Sequence, residues 1–291
     1  MLDPMPHAPE PAPPAGGLLP VVPWVALDRR RYRALRRGGR ARPAIVLGRP
    51  AAGRATVVFV HGRGGYPAQF AALARALDPV ADTAAFVWED RARLVPSAEA
   101  LRTDVLALPG RVAIVAASLG ALLPAYLGAT DPDGRLGSLG AVYLNPLIGG
   151  SRWADADRAL AVLGDLPALR WLHDVKRLVQ RTCFPPVVQD LAPESAFQQA
   201  VFGRASRPSS FAHATKIVFT ERPGAEPDVR ASRVRRFFGR PRRELLARMG
   251  DVVDVAAEHR TGHAAPLANA AIALGPIVEV LRGLGAPASS P

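Results

Sequence analysis

The chain is poor in cysteine, with Cys183 the only one among 291 residues. No intrachain disulfide can therefore form, and no cysteine cluster can hold a metal. Lysine is also scarce, since only Lys176 and Lys216 occur among 37 basic residues. Aromatic residues make up 6% of the chain. No stretch reaches the roughly 18–20 apolar residues that span a bilayer. The first residues lack the basic-then-apolar order of a secretory signal. Residues 1–20 are instead rich in Pro and Ala and read as a disordered leader. A cytoplasmic location is the expectation. No pair of histidines has the HExxH spacing of a metalloprotease, so no metal is expected.

Hydrophobic residues make up 49% of the sequence, as in ordinary globular proteins, and the length suits one large α/β domain with an insertion. The formal charge is +12. Arginine clusters at Arg29, Arg30, Arg31, Arg33, Arg36, Arg37, Arg40 and Arg42, and again from Arg230 to Arg243. Arginine rises together with Ala, Pro and Gly, which points to a GC-rich genome rather than to a nucleic-acid partner. No nucleic-acid fold signature accompanies the clusters. They read as solvated faces, or as a weak attraction to an anionic membrane surface.

Strand and helix patterns alternate along most of the chain. Val21 to Leu27 and Ala44 to Leu47 read as short strands, with the arginine-rich stretch between them as an exposed hairpin. Ala55 to Val60 is a β-branched apolar strand, Ala68 to Leu77 a helix with apolar residues at helical spacing, and Thr83 to Trp88 a further strand. Pro96-Ser97 opens a helix to about Leu106, with Ser97 as its cap. Arg111 to Val115, Gly140 to Asn145, Thr215 to Thr220 and Asp251 to Ala257 read as further strands, and a helix follows the last. This alternation predicts an α/β fold with a mostly parallel sheet covered by helices. The domain runs over about 21–290. Between about 146 and 212 the alternation stops. Helical patterns near Trp153 to Leu163, Leu166 to Gln180 and Glu194 to Phe202 predict an inserted helical cap. Trp153, Leu163, Leu166, Leu169, Trp171, Leu172 and Phe184 either line an apolar pocket there or pack the cap onto the body.

The chemistry-bearing pattern is Ala116-Ala117-Ser118-Leu119-Gly120, where the apolar strand meets an Ala/Leu-rich helix. Small residues two positions either side of a serine suit a very tight turn that pushes Oγ out at the top of a sheet. The same turn puts the Leu119 N–H at a helix N-terminus, facing developing negative charge. A serine that only caps a helix gives a similar pattern. The strand Ala55 to Val60 runs directly into His61-Gly62-Arg63-Gly64-Gly65, whose glycines permit a sharp turn and a close approach of backbone to substrate. The last strand is followed by His259 and by Gly262-His263.

These segments, in this order, resemble the α/β-hydrolases, and within them the bacterial lipase- and esterase-like serine hydrolases. The resemblance rests on a GxSxG pattern with Ala116 at its first glycine, an HGxGG loop and a GH pair after the last strand. Tyr143 to Ser151 looks like the strand-then-PxxGS stretch of that group, and Asp190 to Phe197 like its DLxPxSxF cap segment. The likeness covers about Thr56 to Leu267. It departs from the family at Ala116 and at Ala117, where a histidine is usual.

The resemblance implies an α/β-hydrolase fold with a cap, with Ser118 as nucleophile and His263 as base, His259 being the rival. It implies oxyanion N–H groups on Arg63 and Leu119, with Gly62 and Gly64 shaping that loop. The acid falls after the strand Thr215 to Thr220. Asp228 is the first choice there, and Glu226 and Glu221 stay open. His61 braces the oxyanion loop, His173 and His213 are structural, and His7 lies in the leader. The implied activity is hydrolysis of carboxylic esters, of a small acyl ester or lipid, without a cofactor. Acyl transfer, thioester or amide cleavage would use the same residues. A non-catalytic binding protein on this scaffold is the other alternative.

Overall fold

A computed structural model of the chain describes residues 24–37, 44–47, 54–131, 133–147, 186–203, 206–220, 243–256, 258 and 263–284. The leader, the first two cap helices and the loop bearing the candidate acids lie outside these residues.

Seven strands form one sheet: β1 (Ala44–Leu47), β2 (Ala55–Val60), β3 (Ala81–Val87), β4 (Val112–Ala117), β5 (Gly140–Leu144), β6 (Thr215–Val218) and β7 (Asp251–Val253). Their order is β1-β3-β2-β4-β5-β6-β7. β1 runs antiparallel to β3, and every other neighbouring pair is parallel. The α/β class and the parallel sheet expected from the alternation are what the chain forms.

Strand β4 shows why these residues build a two-sided sheet. Val112, Ile114 and Ala116 point into one apolar cluster, and Ala113, Val115 and Ala117 into the other. All six are buried. A strand covered on both faces reads as continuous apolar sequence rather than alternation. Each fully buried Val or Ile contributes about 1.5–3 kcal/mol relative to exposure.

Helices cover both faces. On one side lie α3 (Leu94–Ala107), α4 (Leu122–Ala129) and α6 (Ala196–Phe202), the last preceded by the single turn α5 (Val187–Asp190). On the other lie α1 (Arg29–Arg37), α2 (Ala71–Leu77) and, after the short α8 (Ala265–Ala268), α9 (Ala270–Gly283). Helix α7 (Arg243–Met249) leads into β7. Among the described residues no helix is long and apolar enough to cross a membrane.

Two local expectations need correction. The segment read as a strand from Val21 is, where described, a 3-10 turn at Trp24–Ala26, and the supposed arginine hairpin is helix α1. The Asp28 carboxylate caps that helix by accepting the N–H groups of Arg30 (2.9 Å) and Arg31 (2.8 Å). The Arg31 N–H in particular holds the Asp28 carboxyl below its ordinary range. Tyr32 is buried while Arg29, Arg30, Arg31 and Arg33 are exposed. Helix α3, for its part, begins at Leu94 and not at Pro96. Ser97 lies inside it and donates to the Arg93 carbonyl (3.1 Å). The cap comes from far along the chain, because Asp190 Oδ2 accepts the Leu94 N–H (2.6 Å).

Candidate active site

The strand order decides where a site can form. The chain leaves β2 toward β3 on one side and returns to place β4 on the other. The helix after β2 packs on one face and the helix after β4 on the opposite face. Loops after such a pair part and leave a crevice beyond the carboxyl ends of the strands. The loops that meet there are His61–Gly65 and the turn at Ser118.

Ser118 has φ 54°, the left-handed region that a residue with a Cβ rarely adopts. It follows β4 without a break and opens the 3-10 turn Ser118–Ala121 that runs into α4. A strained serine between a parallel strand and a helix has the backbone form called a nucleophile elbow. The fold is that of the α/β-hydrolases.

The elbow is possible because glycine stands at two neighbouring points. A Cβ on Gly62 would lie 2.8 Å from Ser118 Cβ, 2.9 Å from the Ala117 carbonyl and 3.3 Å from Ser118 Oγ. One on Gly120 would run into the carbonyls of His61 and Val60. Glycine at 120 is therefore required by backbone contact. Ala116, which replaces the family's first glycine, is wholly buried and opposes Val60 and Tyr143 across the sheet. Its methyl group is part of the core packing.

The loop carrying Gly62 is braced from beneath. His61 is 1% exposed, and both of its ring nitrogens are engaged. Nδ1 donates to the Gly62 carbonyl (2.8 Å), and Nε2 meets the Tyr32 hydroxyl (2.6 Å). The same hydroxyl contacts the Trp88 carbonyl and accepts the Trp88 N–H (3.3 Å). Trp88 Nε1 donates to the His61 carbonyl (3.2 Å), and its ring stacks on the imidazole at 5.7 Å. His61 is thus locked in the core as a brace. The buried Asp90 accepts the Gly64 N–H. Gly64 has φ 70° and makes the turn of the loop. The Arg63 side chain is exposed, and Leu119 is buried at the start of its turn. N–H groups in the first turn of a helix have no partner within it.

His263 is half-buried and stands two residues before α8. Its carbonyl accepts a hydrogen bond from Asn145 Nδ2 (2.8 Å). Asn145 directly follows β5, is 2% exposed and has φ 46°. Ser118 and Asn145 are the only non-glycine residues at positive φ among those described. Asp228, Glu226, Glu221 and His259 lie outside the described residues, as do the apolar candidates from Trp153 to Phe184. His213 is exposed in a turn before β6.

The Asp190–Phe197 segment is built by local physics. Asp190 Oδ1 pairs with Arg93 Nη1 (2.7 Å) while Oδ2 caps α3. Ser195 Oγ donates to the Asp190 carbonyl (2.7 Å) and accepts the Gln198 N–H (3.1 Å), capping α6. Phe197 stacks on Tyr126 of α4 with centroids 5.2 Å apart. The motif ties the returning chain to the body at the N-terminus of α3.

Sequence reasoning missed Asn145, Tyr32 and Asp90. For Asn145 the signal was an Asn-Pro pair closing an apolar strand, since asparagine tolerates the left-handed region. Nothing in the sequence marks Tyr32 or Asp90, whose partners are far away along the chain. A cavity of about 400 Å³ lined by Arg102, Tyr126 and Thr130 lies at the far end of α4, away from Ser118. No group of His, Cys, Asp and Glu among the described residues could hold a metal ion.

No family model matches the sequence. No curated protein matches it either. Solved structures similar to this chain include a hydrolase from Oleispira antarctica, at 15% identity and TM-score 0.49, with 83% of this chain and 95% of that one covered. A haloalkane dehalogenase from Bradyrhizobium elkani is 15% identical, with TM-score 0.47 and coverage of 82% and 98%. An enol-lactonase from Burkholderia xenovorans is also 15% identical, with TM-score 0.45 and coverage of 82% and 95%. These likenesses concern the course of the chain and do not bear on its reaction.

Proposed function

We propose that the protein is a serine hydrolase of carboxylic esters, acting through an acyl-enzyme on Ser118. The observation that carries this reading is the Ser118 turn. A serine at φ 54° follows a parallel strand, with Gly62 packed against its Cβ and Oγ. Holding a serine in a sparsely populated conformation costs of order 1–3 kcal/mol, and such strain gathers at functional sites.

In this reading Ser118 Oγ attacks the ester carbonyl, and His263 takes its proton and returns it to the departing alcohol. A carboxylate fixes the imidazole tautomer and stabilises its cation. Asp228 is the first candidate, ahead of Glu226 and Glu221. The Leu119 and Arg63 N–H groups receive the oxyanion, each worth about 3 kcal/mol of barrier. Gly62 leaves the room in which the tetrahedral centre forms. Water then releases the acid by the same steps in reverse order. The reading calls for no cofactor.

The test is labelling with a fluorophosphonate probe together with turnover of a p-nitrophenyl ester series. Wild type should label and turn over. Ser118→Ala should do neither, with turnover down at least about 1,000-fold. A folded wild type that neither labels nor turns over would make the chain a binding protein on a hydrolase scaffold. Transfer of the acyl group to an added alcohol in preference to water would make it an acyltransferase.

A further inference from the structure

The Asn145 side chain joins two segments that the hydrolase reading assigns to one reaction. Its Oδ1 accepts the Thr220 N–H (2.8 Å), and its Nδ2 donates to Thr220 Oγ1 (2.7 Å) and to the His263 carbonyl (2.8 Å). Its backbone N–H donates to the Val218 carbonyl (2.8 Å). Thr220 is fully buried and is the residue before the loop with the candidate acids. Two residues beyond Asn145, the Leu147 N–H reaches the carbonyl of Ser118 itself (3.4 Å).

The Asn145 amide thus spends both its donor side and its acceptor side on the roots of other loops. It does so inside the core, where an amide left without partners costs about 1–3 kcal/mol. Its backbone is held at φ 46°, next to the other strained residue at the end of the adjacent strand. A backbone outlier that is buried, saturated with hydrogen bonds and adjacent to a reactive serine marks a place where geometry is fixed in advance.

We propose that Asn145 is a positioning residue of the hydrolase site. It sets the base-bearing backbone at His263 and the root of the acid loop at Thr220 in one register relative to Ser118. It touches no reacting atom. Its contribution is to spare the reaction a search for alignment, which a displacement of about 1 Å can convert into a 100-fold loss. The inference rests on the serine hydrolase reading, and the test separates the two.

The test compares wild type, Ser118→Ala, Asn145→Gly and Asn145→Asp in ester turnover, fluorophosphonate labelling rate and thermal melting. Glycine accepts the backbone angle and removes the amide, so it isolates the side chain from the strain. Aspartate keeps an acceptor for the Thr220 N–H and loses the donor to His263. Both variants should lose roughly 10- to 100-fold in kcat and in labelling rate, with KM within about threefold of wild type. A role in folding alone would instead lower the melting temperature and leave kcat per folded molecule unchanged. Turnover by wild type, abolished in Ser118→Ala and kept within about threefold in both Asn145 variants, would overturn this inference and leave the hydrolase standing. An inactive, unlabelled wild type would overturn both. If neither Asn145 variant folds, Asn145→Ser is read by the same criterion, and its failure to fold would also overturn the proposal.

Discussion

On the β2 side of Ser118, the His61–Gly65 loop is held by Tyr32 of α1 and by Trp88 and Asp90 from the stretch after β3. Much of that support is aromatic: the Tyr32 ring meets the imidazole edge-on at 5.1 Å, and Trp88 stacks on its face. On the β5 side, one buried amide, that of Asn145, serves two loops together. The first arrangement spreads its support over the core, so losing one partner should give a graded effect. The second concentrates support in a polar group, so losing it displaces both loops together. A site can therefore be rigid in two ways that differ in how they fail.

The comparison is sharpened first at the place where the two sides meet. Gly62→Ala would force a methyl group to within 2.8 Å of Ser118 Cβ. It should lower kcat/KM by about 100-fold or more, measured on the p-nitrophenyl esters. Retained activity would mean that the elbow and the loop are not locked together. Next comes the distributed side. Tyr32→Phe leaves His61 Nε2 without its hydroxyl but keeps the ring contact. It should cost about 1–3 kcal/mol of stability by denaturant melt. Its loss in kcat should be smaller than that of Asn145→Gly, and an equal loss would erase the contrast between the two sides.

The smallest effect is expected just inside the core. The Tyr143 hydroxyl of β5 is wholly buried and has no hydrogen-bond partner among the described residues. Burial pushes its phenol well above the ordinary range, so it stays neutral across working pH. Tyr143→Phe removes an unpaired polar atom without opening a cavity. It should leave turnover unchanged and stabilise the fold by up to about 1 kcal/mol. A loss of stability would show that the hydroxyl finds a partner in solution.

The sheet was legible in the sequence because strands such as Ala55–Val60 and Val112–Ala117 are buried on both faces and therefore apolar throughout. The Ser118 turn was legible too, since small residues two positions away on either side are what that turn admits. Helix α1 was misread because exposed arginines surround the buried Tyr32, and because its cap is an isolated aspartate. The start of α3 was misplaced because its cap, Asp190, lies about a hundred residues downstream in sequence. Local patterns carry elements that are closed by their own neighbours. They are silent where a distant side chain completes the element.

The Gly62–Ser118 contact also constrains which side chains the two positions can hold together. The two residues share one volume, although 55 residues of chain and two other strands separate them. A side chain at 62 and the elbow at 118 compete for the same space. Substitutions at the two positions are therefore energetically coupled. In a double-mutant cycle read by denaturant unfolding, the stability penalty of Gly62→Ala should shrink once Ser118 becomes glycine. The remainder would report the Ala117 carbonyl, 2.9 Å away. What looks in sequence like two separate motifs is a single packed unit.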